Sequence, residues 1–158
     1  MSNEYKDCLI DRVEEANEWV AKYPFLRIED NSCCPWENTE EIESCWMFDL
    51  PVGWQIGFGA QMCDELMSVL GEYVDDFIIL QLKEKYNSIC LYWGWKHMGY
   101  TNNDSDEMRR IYFEIEDVIY KYRKISSNTC VACGKPATKY TKSGWHQGFC
   151  SDCYSRFR

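Results

Sequence analysis

"FIILQLKEKYNSICLYWGW", residues 77–95, consists of two apolar runs separated by a polar turn sequence. A two-residue turn at Asn87-Ser88 pairs Tyr86 with Ile89, Leu82 with Trp93 and Leu80 with Trp95. One face of the resulting hairpin then carries Ile78, Leu80, Leu82, Tyr86, Ile89, Leu91, Trp93 and Trp95. The other carries Gln81, Lys83, Lys85, Tyr92 and Lys96, and only Glu84 falls on the apolar side. Strand side chains alternate with a period of two, so such sorting marks a half-buried antiparallel pair. This hairpin needs helices to cover its apolar face.

The flanking sequence supplies them. Tyr5, Leu9, Val13, Ala16 and Val20 recur every three or four residues, which predicts an amphipathic helix from Asn3 to about Tyr23. Pro24 ends it, and "FLRIE" reads as a short strand. Residues 31–44 read as a loop. "CWMFDLPVGWQIGFG", residues 45–59, is aromatic and Gly-rich and reads as a strand followed by a turn, before a short helix bearing Met62, Leu66, Val69 and Tyr73.

Beyond the hairpin, Asp104 and Glu107 form a capping-box-like start. The following helix places Met108, Ile111, Ile115, Val118, Tyr122 and Ile125 on one stripe and runs to about Ser126. Tyr112 and Ile119 widen the stripe, which suits packing on the chain's own sheet; its 3-4-3-4 spacing also suits a homodimer seam. The expected fold is α+β: a small helix-packed antiparallel sheet body over 1–126 and a Cys-rich module over 127–158.

That module contains "CVACGKPATKYTKSGWHQGFCSDC", residues 130–153. Two Cys-x-x-Cys pairs, Cys130/Cys133 and Cys150/Cys153, lie sixteen residues apart, enough for a hairpin that brings two knuckles to one ion. Four thiolates around Zn2+ form a closed tetrahedral site with no open coordination position, so the expected cofactor is one structural zinc in a C-terminal zinc ribbon. His146 is not needed as a ligand. Gly134 permits the turn of the first knuckle, and Gly144 suits the hairpin tip. A tail of about 30 residues builds no sufficient core alone, so zinc would supply its folding energy. Metal removal is then expected to unfold the tail and spare the body.

The remaining cysteines read mostly as buried thiols. "MSNEYKDCLIDRVEE" has no apolar h-region, and no apolar run approaches the roughly 18 residues of a membrane helix, which reads as a cytoplasmic chain with no membrane partner.

Charge divides the chain. From Lys121 onward there are eight Lys or Arg and one acid, whereas the first 120 residues hold nine basic and 25 acidic residues. Lys135, Lys139, Lys142, His146, Arg156 and Arg158, interleaved with Tyr140 and Trp145, suit phosphate contact and stacking, or docking on the acidic body. The two histidines, His97 and His146, occupy no triad or zinc-hydrolase spacing, and paired acids such as Asp75-Asp76 read as solvated residues, so no catalytic residue is assigned.

"GWQIGFGAQMCDEL", "LQLKEKYNSICLYW", "IEDVIYKYRKISSNTCVACGKPA" and "SGWHQGFCSDC" together resemble a group of small phage and prophage proteins with a Lys-Glu-Lys-Phe-Gly-Gly-Leu-Arg-Phe-Tyr hairpin and a C-terminal four-cysteine zinc ribbon. The resemblance covers about residues 46–153. The tip here is Tyr86-Asn87-Ser88, and Cys90 stands where that group has Arg. It implies a phage accessory protein acting in the bacterial cytoplasm, with no known catalytic residue. Its expected role is non-enzymatic: binding and inhibiting a host protein, of the anti-CRISPR type, through an acidic surface that competes with phosphate for a nucleic-acid-binding defence effector. Trp36 and Trp54 are the expected anchors. The alternative is a nucleic-acid-binding regulator that uses Lys139, Lys142 and Trp145 of the ribbon.

Overall fold

The computed structural model describes residues 3–28, 44–96, 105–141 and 144–156, with residues 3–11 described by backbone alone. Trp36, Lys142, His97, Asp104 and Arg158 lie outside these residues.

Helix α1 spans Asn3–Lys22, as its periodicity requires, and buries Ala16 and Val20. Pro24 then opens a 3-10 turn, Pro24–Leu26, whose Phe25 and Leu26 enter the core. The strand expected here reduces to a single antiparallel bridge between Arg27 and Cys45.

The segment expected as strand and turn is helical. A 3-10 turn, Trp46–Asp49, leads through Pro51 into α2, Val52–Trp54, a π-helical turn, Gln55–Gly59, and α3, Ala60–Leu70. Met47, Leu50, Trp54, Phe58, Met62, Leu66 and Leu70 are all buried and step by three or four. That is helical spacing, carried by aromatic residues that as a class favour strands. Period prevailed over propensity.

The hairpin forms from β1, Phe77–Lys85, and β2, Ser88–Trp95. Its turn is Tyr86-Asn87, one residue earlier than expected, with Lys85 opposite Ser88 and Leu82 opposite Leu91. A bulge between Ile79 and Gln81 makes a second change. The extra residue reverses the facing of everything before it. Phe77 and Ile79 thus point into the core with Leu82, while Leu80 is 53% exposed. Phe77 packs against Trp93, Trp95 and Phe25 with ring centres 5.4, 6.0 and 5.5 Å away.

Helix α4, Asp106–Ser127, lies against β2 and α3. Its N-cap is Ser105, whose hydroxyl accepts the Met108 N–H at 3.2 Å; the capping-box start expected at Asp104 is displaced by one residue. Ile111, Ile115, Val118, Ile119 and Tyr122 are buried, the stripe seen in the sequence. Trp93 donates its indole N–H to Glu116 at 2.9 Å, tying β2 to α4.

The C-terminal unit follows without a linker. A two-stranded hairpin, β3 (Lys139–Tyr140) with β4 (Gly148–Phe149), precedes helix α5, Ser151–Arg156. Cys130, Val131, Phe149 and Cys150 belong to the same contiguous buried cluster as Trp54, Phe58 and Tyr122. The architecture is a small mixed α/β domain with modest antiparallel sheets and a ribbon-like Cys cluster at its C-terminal end. Among the described residues, no helix is long and apolar enough to cross a membrane.

Candidate metal centre

The first cysteine pair is held by the exit of α4. Thr129 donates its hydroxyl to the Ile125 carbonyl at 2.7 Å and its backbone N–H to that of Ser126 at 3.1 Å. The chain then folds into a knuckle: Cys130 donates its N–H to the Lys135 carbonyl at 2.7 Å, and Gly134 returns one to Cys130 at 3.0 Å. Gly134 takes φ +80°, in the left-handed region where a side chain is disfavoured. The second pair is presented differently from the first. Cys150 leaves β4, and Cys153 sits in the first turn of α5, where Tyr154 N–H bonds to the Cys150 carbonyl at 3.0 Å.

The sulfurs of Cys130, Cys133, Cys150 and Cys153 all lie within 4.8 Å of one another, and Cys133 Sγ is 3.6 Å from Cys150 Sγ. Four thiolates placed about 2.3 Å from a tetrahedral Zn2+ would be separated by about 3.8 Å, so this donor set fits one such ion. Cys130 and Cys150 are buried, while Cys133 and Cys153 are half-buried.

The protonation of the thiols suits a bound cation. Burial opposes ionisation of Cys130, but backbone N–H groups of Cys150, Ala132 and Cys133 outweigh it and bring the thiol down to about 7. Cys153, against the sulfurs of Cys150 and Cys133, is pushed up to about 12. One thiolate forms readily, and Cys133 and Cys153 resist ionisation beside it. A divalent cation would ease that conflict by offsetting two of the four thiolate charges and favouring the ionised form of each ligand.

The knuckle is also clamped to the body. Trp54 donates its indole N–H to the Thr129 carbonyl at 3.1 Å, and Gly53 donates its backbone N–H to the Val131 carbonyl at 2.8 Å. A Cβ on Gly53 would stand 2.2 Å from the Cys130 carbonyl oxygen; one on Gly134 would stand 2.6 Å from the Gly53 oxygen. On the opposite side, Val131 N–H bonds to the Gly148 carbonyl at 3.0 Å. Segment 51–59 therefore forms the seat of the four-cysteine cluster, a role its sequence does not announce.

Trp54 is 0% exposed. The expectation that it anchors a partner is overturned: it is a structural post under the knuckle. Lys139 and Trp145 do stand at the surface, Trp145 with 66% of its area exposed. His146 stacks on Tyr140, with ring centres 5.8 Å apart and planes 10° from parallel, and takes no place among the sulfurs.

No family model, curated protein or solved structure matches the chain.

Among the described residues the four-cysteine group is the one cluster with metal-ligand geometry. Asp64 pairs within the body, accepting the Tyr23 hydroxyl at 2.7 Å with Lys22 at 3.6 Å. Cys45 and Cys63 are buried, and burial raises both thiols, as expected of inert packing residues. Glu84 and Asn87, given no long-range role in the sequence, join the hairpin to the C-terminal unit. Asn87 is buried, donates its side-chain amide to the Ser127 carbonyl at 3.1 Å and accepts the Gly148 N–H at 2.9 Å. An Asn at a hairpin turn was the available signal; its long-range partners were not visible.

Proposed function

We propose that the chain is a non-enzymatic nucleic-acid-binding protein whose C-terminal unit is held by one structural Zn2+. A site of four cysteine ligands has no open position for substrate, which supports a structural metal. The observation that carries the reading is the surface of the metal-held hairpin. Lys139, Tyr140, Trp145 and His146 are all exposed there, one cation and three rings on the same hairpin. Lys and Arg contacts to phosphate release counterions, and exposed rings stack on bases. The acidic residues, concentrated before residue 121, supply net charge away from that surface along the sequence.

The exposed carboxylates of Glu14, Glu15 and Glu18 on α1 favour a second reading. In it, the chain is a phage accessory protein, as its resemblance suggests, that occupies the basic channel of a host defence protein. One assay separates the two. Fluorescence anisotropy with a labelled oligonucleotide should show binding that weakens as salt rises, and Lys139→Glu should weaken it further while lowering the salt slope by about 0.7–0.9. Absence of binding at low salt, or binding indifferent to salt and to Lys139→Glu, would sink the first reading. A chain that binds no oligonucleotide but strips one from a basic host protein would establish the second.

A further inference from the structure

We infer that the tip of the β1–β2 hairpin and the metal-held β3–β4 hairpin together form a stacking platform for the unpaired bases of single-stranded nucleic acid, with Tyr86 and Trp145 as its principal rings. This rests on the nucleic-acid reading above and names the kind of strand it concerns.

Tyr86 is the first sign. It occupies the first central position of the two-residue turn with φ +53°, followed by Asn87 at +58°. Such turns require left-handed backbone at both positions and favour Asn or Gly there; a bulky aromatic is strained. Packing does not compensate Tyr86, which is 78% exposed and has the Lys85 ammonium 5.5 Å from its ring centre. Folding alone gives no reason for tyrosine at this place.

The surroundings hold the ring outward. The Glu84 carboxylate accepts the Asn87 N–H at 2.7 Å, and the buried Asn87 side chain ties the turn to α4 and β4. The other Glu84 oxygen accepts the Trp145 indole N–H at 2.6 Å. Trp145 is thus fixed by its polar edge while most of its ring surface remains open. Tyr140 stands beside this group: its hydroxyl reaches the Ser127 carbonyl at 3.4 Å, and its ring lies 3.1 Å from where a Gly148 Cβ would be. His146 stacks on it. Lys85 lies at the Tyr86 ring, Lys139 is exposed on the neighbouring strand, and both oxygens of Glu84 are already engaged by N–H donors.

Open ring faces serve unpaired bases. In a duplex those base faces are already stacked within the helix, so only the cations would act; in a single strand each ring can take a base with little regard to sequence. The strain at Tyr86 makes the test decisive. Tyr86→Gly removes the ring and suits the left-handed backbone, so its melting temperature should be unchanged or higher. Its affinity for a 20-nucleotide oligo-dT should fall about tenfold, within the range for one lost stacking contact, with duplex affinity unchanged. Tyr86→Phe should retain single-strand affinity, and oligo-dT should quench the fluorescence of the native chain but quench a Trp145→Phe variant less. Equal binding of single strand and duplex, indifferent to Tyr86→Gly, overturns the platform and leaves nucleic-acid binding standing. A Tyr86→Gly chain that melts lower and binds both forms less well makes Tyr86 a structural residue and also overturns it. Failure to bind either form overturns the reading on which the platform rests.

Discussion

Gly53 and Gly134 meet where the body touches the metal unit, and neither has room for a methyl group. A Cβ on either would strike backbone, and on Gly53 more closely: the Cys130 oxygen at 2.2 Å, the Val131 carbonyl carbon at 2.6 Å and the Cys133 nitrogen at 2.7 Å. Backbone held by hydrogen bonds on both sides cannot move aside as a flexible side chain would. Gly53→Ala should therefore cost about 3 kcal/mol of stability and lower the metal content of the purified protein, as urea unfolding and metal stoichiometry would show. Full metal occupancy with an unchanged unfolding midpoint would contradict this packing. The four cysteines are legible in the sequence because their spacing is itself the chemistry. Gly53 is not, since its constraint comes from residues far along the chain.

Helices α3 and α4 are joined at the element scale by Glu65, whose carboxylate accepts the Lys121 ammonium at 2.6 Å and the Tyr122 hydroxyl at 2.8 Å. Partial burial pushes this carboxyl up, but Lys121 and Tyr122 outweigh it and hold the group below its ordinary value of 4.5. A carboxyl with a depressed folded-state pKa stabilises fully above its unfolded value; that stabilisation is lost as pH falls through the folded one. Glu65→Gln should thus lower stability at neutral pH by about 1 kcal/mol and flatten the acid limb of the stability profile below pH 4.5. Identical acid limbs in thermal melts of variant and native protein would remove Glu65 from this role. Helices α1 and α4 can be read from the sequence because 3.6-residue periodicity is a local property. Segment 45–59 misleads because its helical period runs through Trp54 and Phe58 among Gly53, Gly57 and Gly59, residues that favour strand and turn. The β1 bulge is silent in the sequence: the side facing the core is chosen by Phe25 and Trp93, which lie beyond any local window.

The whole molecule shares one core. Cys130, Val131, Phe149 and Cys150 are continuous with Trp54, Phe58 and Tyr122, so the division between body and tail suggested by composition is not a division of packing. Chelation should therefore do more than release a tail. A strong chelator is expected to collapse the near-ultraviolet dichroism of the buried aromatics and to lower the single melting transition, with added Zn2+ restoring the dichroism to saturation and raising the transition with the logarithm of its free concentration. A melt in which the helical signal is untouched by chelation, with only the C-terminal unit becoming protease-sensitive, would restore the two-part description.

By itself the sequence determined the chemistry that depends on short range: the four-cysteine cluster from two Cys-x-x-Cys pairs, α1 and α4 from their apolar period, and the existence of a central hairpin from two alternating runs. Tertiary structure alone decided where those pieces meet. It placed the turn at Tyr86-Asn87, turned Leu80 outward, buried Trp54 beneath the knuckle and gathered Tyr86, Tyr140 and Trp145 at one surface. The physical reason is that ligand spacing and helical period act within a few residues. Burial, register and the close approach of two backbones are settled by partners distant in sequence, and the same Trp or Tyr serves equally well inside or outside until those partners arrive.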